Sequence, residues 1–272
     1  MGKAIILRME VRAQALKVLC VAEPESKARQ TRELLEASRA GATLDTVVVL
    51  EPPPALPGRP AQPLLVPPEQ VPRRTPFTPE GRAALLHAVC HIEFNAINLA
   101  LDAAWRFAGM PERFYRDWLQ VAGEEALHFQ LLRGHLQSMG HDYGDFEAHD
   151  GLWSMAEKTR DDITARMALV PRTLEARGLD STPPMQAKLR KAGDLRAVEI
   201  LDIILRDEIG HVAIGNHWYR WLCEREGLDP ITSYAEFATR YGAPRLKGPF
   251  NLEARRAAGF DEPEIALLNA KG

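Results

Sequence analysis

The sequence predicts an all-α protein. It reads as a four-helix bundle with N-terminal helices and a proline-rich strap before it and a C-terminal helical tail after it. Three observations predict this. Four long segments carry apolar residues at helical spacing. Turn formers punctuate them, at Gly109-Met110-Pro111, Gly140, Gly178 and Gly227. No two segments alternate in the manner of paired strands. With 272 residues, 46% hydrophobic and 26% charged, the chain can bury a large core and has the profile of a soluble globular protein.

The first unit spans residues 1–77. Residues 9–39 are expected to form two short helices. Val11, Ala15, Val18 and Leu19 give the first apolar face. Thr31, Leu34, Leu35 and Ser38 give a second, after a break at Pro24. Residues 45–50, Asp-Thr-Val-Val-Val-Leu, are expected to run as a short extended segment. Ten of the twenty prolines lie between Pro52 and Pro76, so this stretch is an extended or polyproline strap. Leu64, Leu65 and Val66 predict that it packs down.

The bundle is expected over residues 78–227. Thr78-Pro79-Glu80 supplies a cap, a proline at the first helical position and an acid in the first turn. The four long helices are expected at roughly 78–108, 112–139, 152–177 and 194–226. Gly178 and Pro183-Pro184 are expected to end the third, with Pro171 as a place to kink and a short helix following at 185–191. The tail, residues 228–272, is expected to hold short helices near 234–241, 252–258 and 262–269. A basic link, Arg245-Leu-Lys-Gly-Pro-Phe250, lies between the first two; it would be a solvated loop or the lid of a cavity mouth.

Composition also excludes function classes. A net charge of −3 offers no basic surface for nucleic acid. Cys20, Cys90 and Cys223 are few and widely spaced, which suits a reducing cytoplasm and not a disulfide framework or zinc ribbon. No apolar run near the N-terminus resembles a signal peptide. The most apolar stretch, Ala83–Leu101, is interrupted by Glu93 and closed by Asp102, so no membrane span is expected.

The chemistry concentrates in two related stretches, Glu124-Glu125-Ala-Leu-His128 and Arg206-Asp207-Glu208-Ile-Gly-His211. A Glu and a His three residues apart share one helix face and can grip one metal ion. With 23 Glu and 8 His in the chain, chance alone gives about 0.7 such pairs, so the motif needs its surroundings. Those surroundings are apolar seams. The third helix from the N-terminus has Leu86, Val89, Glu93, Ile97 and Ala100 on one face. The next has Trp118, Ala122, Glu125, His128 and Phe129, and the last long helix has Leu201, Ile204, Glu208, His211 and Val212. A lone buried carboxylate is costly, so acids and histidines on facing seams point to a shared metal. The bland alternatives are a metal-free hydrogen-bonded network and solvated acids.

Register supports the metal. Glu93 precedes Glu125 by 32 residues, which brings the two level across a hairpin. The same arithmetic from Glu208 leads back 33 residues to Glu175. Glu199 faces the opposite side of the helix from Glu208, and Glu157 is about 27 Å of helix away from Glu175. The expected ligands are therefore Glu93, Glu125, His128, Glu175, Glu208 and His211. One Glu from each of two helices plus Glu-x-x-His from each of two others is the pattern of ferritin-like di-iron and di-manganese carboxylate proteins. Four carboxylates also neutralise two divalent ions, and the absence of thiolates favours iron, or manganese, over structural zinc.

The chain also resembles the bacterial ferritin-like proteins of an uncharacterised domain-of-unknown-function family. The resemblance rests on Glu80-Gly-Arg-Ala-Ala-Leu-Leu-His87, His91-Ile-Glu-Phe-Asn-Ala96, His149-Asp-Gly-Leu-Trp153, Met167-Ala-Leu-Val-Pro171, Leu174-Glu-Ala-Arg-Gly-Leu-Asp180, Gly210-His-Val-Ala-Ile-Gly215 and Gly248-Pro-Phe-Asn-Leu-Glu-Ala-Arg255. It implies a ferritin-like bundle with a dinuclear metal site. More distantly, the chain is similar to the tRNA-isopentenyladenosine hydroxylases, di-iron oxygenases with a similar ligand order; the missing basic surface speaks against tRNA here.

Around the ligands, Asp207 and Asn95 would either hydrogen-bond the ligating imidazoles or lie on solvated faces. His91, about 200° round the helix from Glu93, is expected to be a neighbour or surface residue and not a ligand. Tyr219 would pack in the core or line the cavity. The expected function is an O2-dependent oxidoreductase or hydroxylase, with a small-molecule substrate and an electron donor; a homodimer is compatible with it. The alternatives are a ferroxidase or iron-handling protein, a tRNA-modifying hydroxylase, and a helical scaffold without catalysis.

Overall fold

The computed structural model describes residues 10–72 and 74–271. The expectation about a leader, and the predicted first residue of the opening helix, fall outside them. Among the described residues regular structure is helical, apart from a single parallel bridge between Leu65 and Ala148.

Two helices come first among the described residues, α1 (Val11–Leu19) and α2 (Pro24–Arg39). Each is capped by a glutamate, Glu10 or Glu23, whose carboxylate accepts two backbone N–H groups of the first turn. Arg12 is fully buried and donates to the carbonyls of Asp45, Val48 and Trp105. Residues 45–50 form no strand. The Asp45 carboxylate accepts the N–H groups of Val47 and Val48, which curls the segment into a turn and leaves Val47 and Val49 exposed.

The strap is tied down between Gly58 and Val66. Gly58 N–H donates to the Leu19 carbonyl, Lys27 Nζ to the Gly58 carbonyl, and Arg59 pairs with Asp150. Val66 N–H donates to the Ala148 carbonyl, and Ala148 N–H to the Leu64 carbonyl.

The long members of the bundle are α3 (Pro79–Arg106), α4 (Glu112–Ser138) and α8 (Leu195–Glu226). Thr78 caps α3 as predicted, its hydroxyl accepting from Gly81 N–H. By length and composition α3 could cross a membrane, but most of it is buried among its neighbours. Gly227, at φ +68°, ends α8 in the left-handed conformation expected of a glycine stop.

The fourth rod departs from prediction. In place of one helix at 152–177 it is α5 (Gly151–Lys158), α6 (Ile163–Leu169), a π-helical segment (Val170–Glu175) and α7 (Ala176–Lys191). Asp162 restarts the helix after a turn by accepting Ala165 N–H. Pro171 has no N–H and its ring obstructs the carbonyl four residues back, and here the chain widens to a π segment without stopping. Gly178 and Pro183-Pro184 lie inside α7 and do not end it. Asn251 Nδ2, from the tail, bonds the Leu179 carbonyl that Pro183 cannot reach. At Gly215 of α8 an added Cβ would meet Pro171 Cβ at 2.6 Å, so glycine sets how closely α8 approaches the π segment.

The tail holds α9 (Pro230–Arg240), α10 (Leu252–Ala257) and α11 (Glu262–Lys271). The first starts earlier than expected because Asp229 accepts Thr232 N–H and Pro230 occupies the first position. A second apolar cluster, including Leu179, Val212, Phe260, Ile265 and Leu268, joins the tail to α7 and α8.

Candidate metal centre

All six predicted ligands are buried: Glu93 on α3, Glu125 and His128 on α4, Glu175 at the end of the π segment, and Glu208 and His211 on α8. Five of them form two overlapping groups, Glu93-Glu125-His128 and Glu125-Glu208-His211. Within each group the donor atoms lie within 4.8 Å of one another, close enough to hold a metal ion. Glu125 belongs to both. Its carboxylate is 3.3 Å from His128 Nδ1 on one side and 3.0 Å from His211 Nδ1 on the other. Glu93 reaches His128 Nδ1 at 3.2 Å, and Glu208 lies 3.8 Å from His211 Nδ1. Glu199 and Glu157, the rejected candidates, are exposed.

Both imidazoles turn Nδ1 towards the carboxylates and Nε2 outward. His128 Nε2 meets Asp207 at 3.1 Å, and His211 Nε2 meets Glu124 at 2.8 Å. The site is therefore built twice. In each helix the acid just before the inner Glu crosses to the histidine of the other helix and fixes its tautomer. Asp207 was a sequence candidate for this role. Glu124 was not, although it holds the same place in its motif as Asp207 does; that repeat was the available signal. Asn95 contacts none of the six predicted ligands: its Nδ2 donates to the His91 carbonyl at 3.0 Å. His91 is buried on the far side, with Nδ1 on the Tyr143 hydroxyl and Nε2 at the His149 carbonyl. Tyr219 is core: its hydroxyl donates to the Pro230 carbonyl and Arg172 lies over its ring.

The electrostatics follow from burial and crowding. Burial and then the Glu125 charge push Glu93 and Glu175 up to about 8. The same two causes raise Glu208 well above the carboxylate range. Burial acts on Glu125 too, but the flanking His211 and His128 outweigh it and hold its carboxyl low. Burial opposes charge on both histidines; the acids around them overcome it and raise both pKa values. The protein's own polar groups do not satisfy this cluster. Glu175 Oε2 and Glu208 Oε2 are buried without a hydrogen bond, and Glu125 Oε1 and His211 Nδ1, 3.0 Å apart, are not aligned for one. Several such atoms in one core are the pattern that a cation relieves, and a set of carboxylates and imidazoles without thiolate fits iron or manganese.

A family model described as "Protein of unknown function (DUF455)" matches residues 20–266. An uncharacterized protein of Haemophilus influenzae is 55% identical over 213 residues, which is 76% of this chain and 74% of the relative. No solved structure matches the chain.

Proposed function

This chain belongs to the family of proteins of unknown function DUF455, and for it we propose a ferritin-like dinuclear metal centre serving an O2-dependent oxidoreductase or hydroxylase. The reading is carried by one observation: Glu125 sits between two imidazoles, each already oriented by an outer acid, among buried carboxylate oxygens that have no partner. When bound, a pair of iron ions, or manganese, would supply the electrons and Lewis acidity for the reduction of dioxygen at the expense of a nearby substrate.

The chain's own residues do the rest. Glu93 and His128 would hold one ion, Glu208 and His211 the other, and Glu125 both, with Glu175 completing the set. With metal bound, Asp207 and Glu124 would keep the proton on each outward Nε2 and leave the lone pair of each inward Nδ1 for the ion. Phe129 and Ile204 belong to the apolar packing on the same helices and help exclude bulk water. The charge count suits this role: four carboxylates offset two divalent cations in a core that cannot hold net charge cheaply.

Elemental analysis of purified protein, followed by O2 uptake after anaerobic loading with ferrous iron, tests the proposal. About two ions per chain and stoichiometric uptake are expected, both lost in Glu125→Ala. Absence of bound metal after loading would overturn it. Iron accumulating far beyond two ions per chain would turn the reading towards iron storage.

A further inference from the structure

A cavity of about 1000 Å³ lies away from the carboxylate cluster, between α9, the basic link at residues 245–250 and α11. That is the upper end of the size range of small-molecule sites. Ile231, Ala238, Phe250 and Leu268 give it an apolar wall. Its one acid is already engaged: Glu264 is buried and paired with both Arg172 and Arg220. Arg172 is spent in the same way. It bonds Glu264 and Asn216, and its guanidinium lies 4.9–5.0 Å from the ring centres of Tyr219, Tyr234 and Phe260.

Arg245 differs. It lines the cavity yet is exposed, which places it at the mouth, and no ion pair to it is found among the described residues. Lys247 follows two residues later, also exposed. A greasy wall with its internal charges cancelled and a guanidinium at the rim is complementary to an apolar body ending in one anionic group. The guanidinium fork suits a carboxylate or a phosphate equally.

We propose that this cavity binds an amphipathic anion, with its hydrocarbon against the α9–α11 wall and its carboxylate or phosphate on Arg245. The site shares a segment with the candidate metal centre, since Arg172 and Glu175 both belong to Val170–Glu175. Binding itself needs no metal, so its test is separate from that of the preceding proposal.

Calorimetric titration of metal-free full-length protein with dodecanoate and dodecyl phosphate, against dodecanol and acetate, is the experiment. One equivalent of at least one long-chain anion should bind at least tenfold more tightly than dodecanol, and acetate should not bind. The anion that binds more tightly identifies the head group. Arg245→Gln should abolish the preference over dodecanol. Ala238→Trp should fill the cavity and remove binding, with circular dichroism and Tm showing that the fold persists. Equal affinity for dodecanol and the anions, or anion binding unchanged in both variants, would overturn the assignment.

Discussion

Glu124 and Asp207 carry the smallest-scale prediction. Each contacts the outward nitrogen of one histidine, so their loss acts on opposite halves of the site. Asp207→Asn is expected to weaken metal binding at the His128 half, and Glu124→Gln at the His211 half, each by about 10–100-fold, measured by competition with a chelator. A separate prediction concerns His87. Burial holds its pKa at about 4, against the weaker upward pull of Asp145, Asp142 and Glu147. Its ring stacks on Tyr143, and Nε2 accepts Gly144 N–H. In the unfolded chain an imidazole titrates near 6.5. The unfolded state therefore binds the extra proton between those values, and stability falls as pH drops from about 6.5 to about 4. The loss is on the order of 3 kcal/mol. Denaturant unfolding of His87→Gln should show a shallower decline across that window. At this scale the sequence exposed the inner acids and histidines because polar residues inside apolar seams are anomalous. The network of His91, Asn95 and Tyr143 was not legible, because its partners lie 52 and 58 residues away on a loop.

The fourth rod is where elements matter most. Pro171 and Gly215 are in contact, and the π segment that results places Glu175. Gly215→Ala would drive a methyl group into Pro171, with contacts of 2.6 and 2.8 Å. It is expected to destabilise the protein by about 1–3 kcal/mol and to lower metal stoichiometry by shifting Glu175. Gly178→Ala is the control: its Cβ would lie 3.9 Å from Glu208 Cδ, an ordinary contact. Removing a helical glycine there should stabilise by about 0.5–1 kcal/mol, with metal content unchanged. Thermal melts and elemental analysis of both variants check the contrast. Spacing counted from Glu208 leads to Glu175, which is buried at the end of the π segment but belongs to neither carboxylate–imidazole group. Pro171 distorts the rod where a kink was expected, with Gly215 making room for it, whereas Gly178 and Pro183-Pro184 do not end the helix, and Asn251 bonds the carbonyl freed by Pro183.

For the molecule as a whole, burying several carboxylates together opposes folding until a cation offsets them. A ligand that binds only the folded state stabilises it by mass action, about 2.7 kcal/mol at a hundredfold excess over Kd. Metal-loaded protein is therefore expected to melt above the metal-free form, by a margin that grows with metal concentration. Glu125→Ala should lose most of that margin in the same scanning experiment. The strap and the tail enter at this scale too. Arg12, Lys27 and Arg255 are buried basic side chains that bond carbonyls, an amide or an acid of distant segments, tying the periphery to the bundle.

By itself the sequence determined the helical class, the bundle's three long members and the set of acids and histidines facing inward. Each of these depends on local periodicity and on the helical rise, which are properties of a chain stretch taken alone. Tertiary structure alone decided that residues 45–50 curl, that the fourth rod passes through its prolines, that Glu124 rather than Asn95 contacts one of the inward histidines, His211, and that a cavity opens beside α9. Those outcomes depend on which donor, acceptor or void a remote segment supplies, and no stretch of sequence contains its own neighbour.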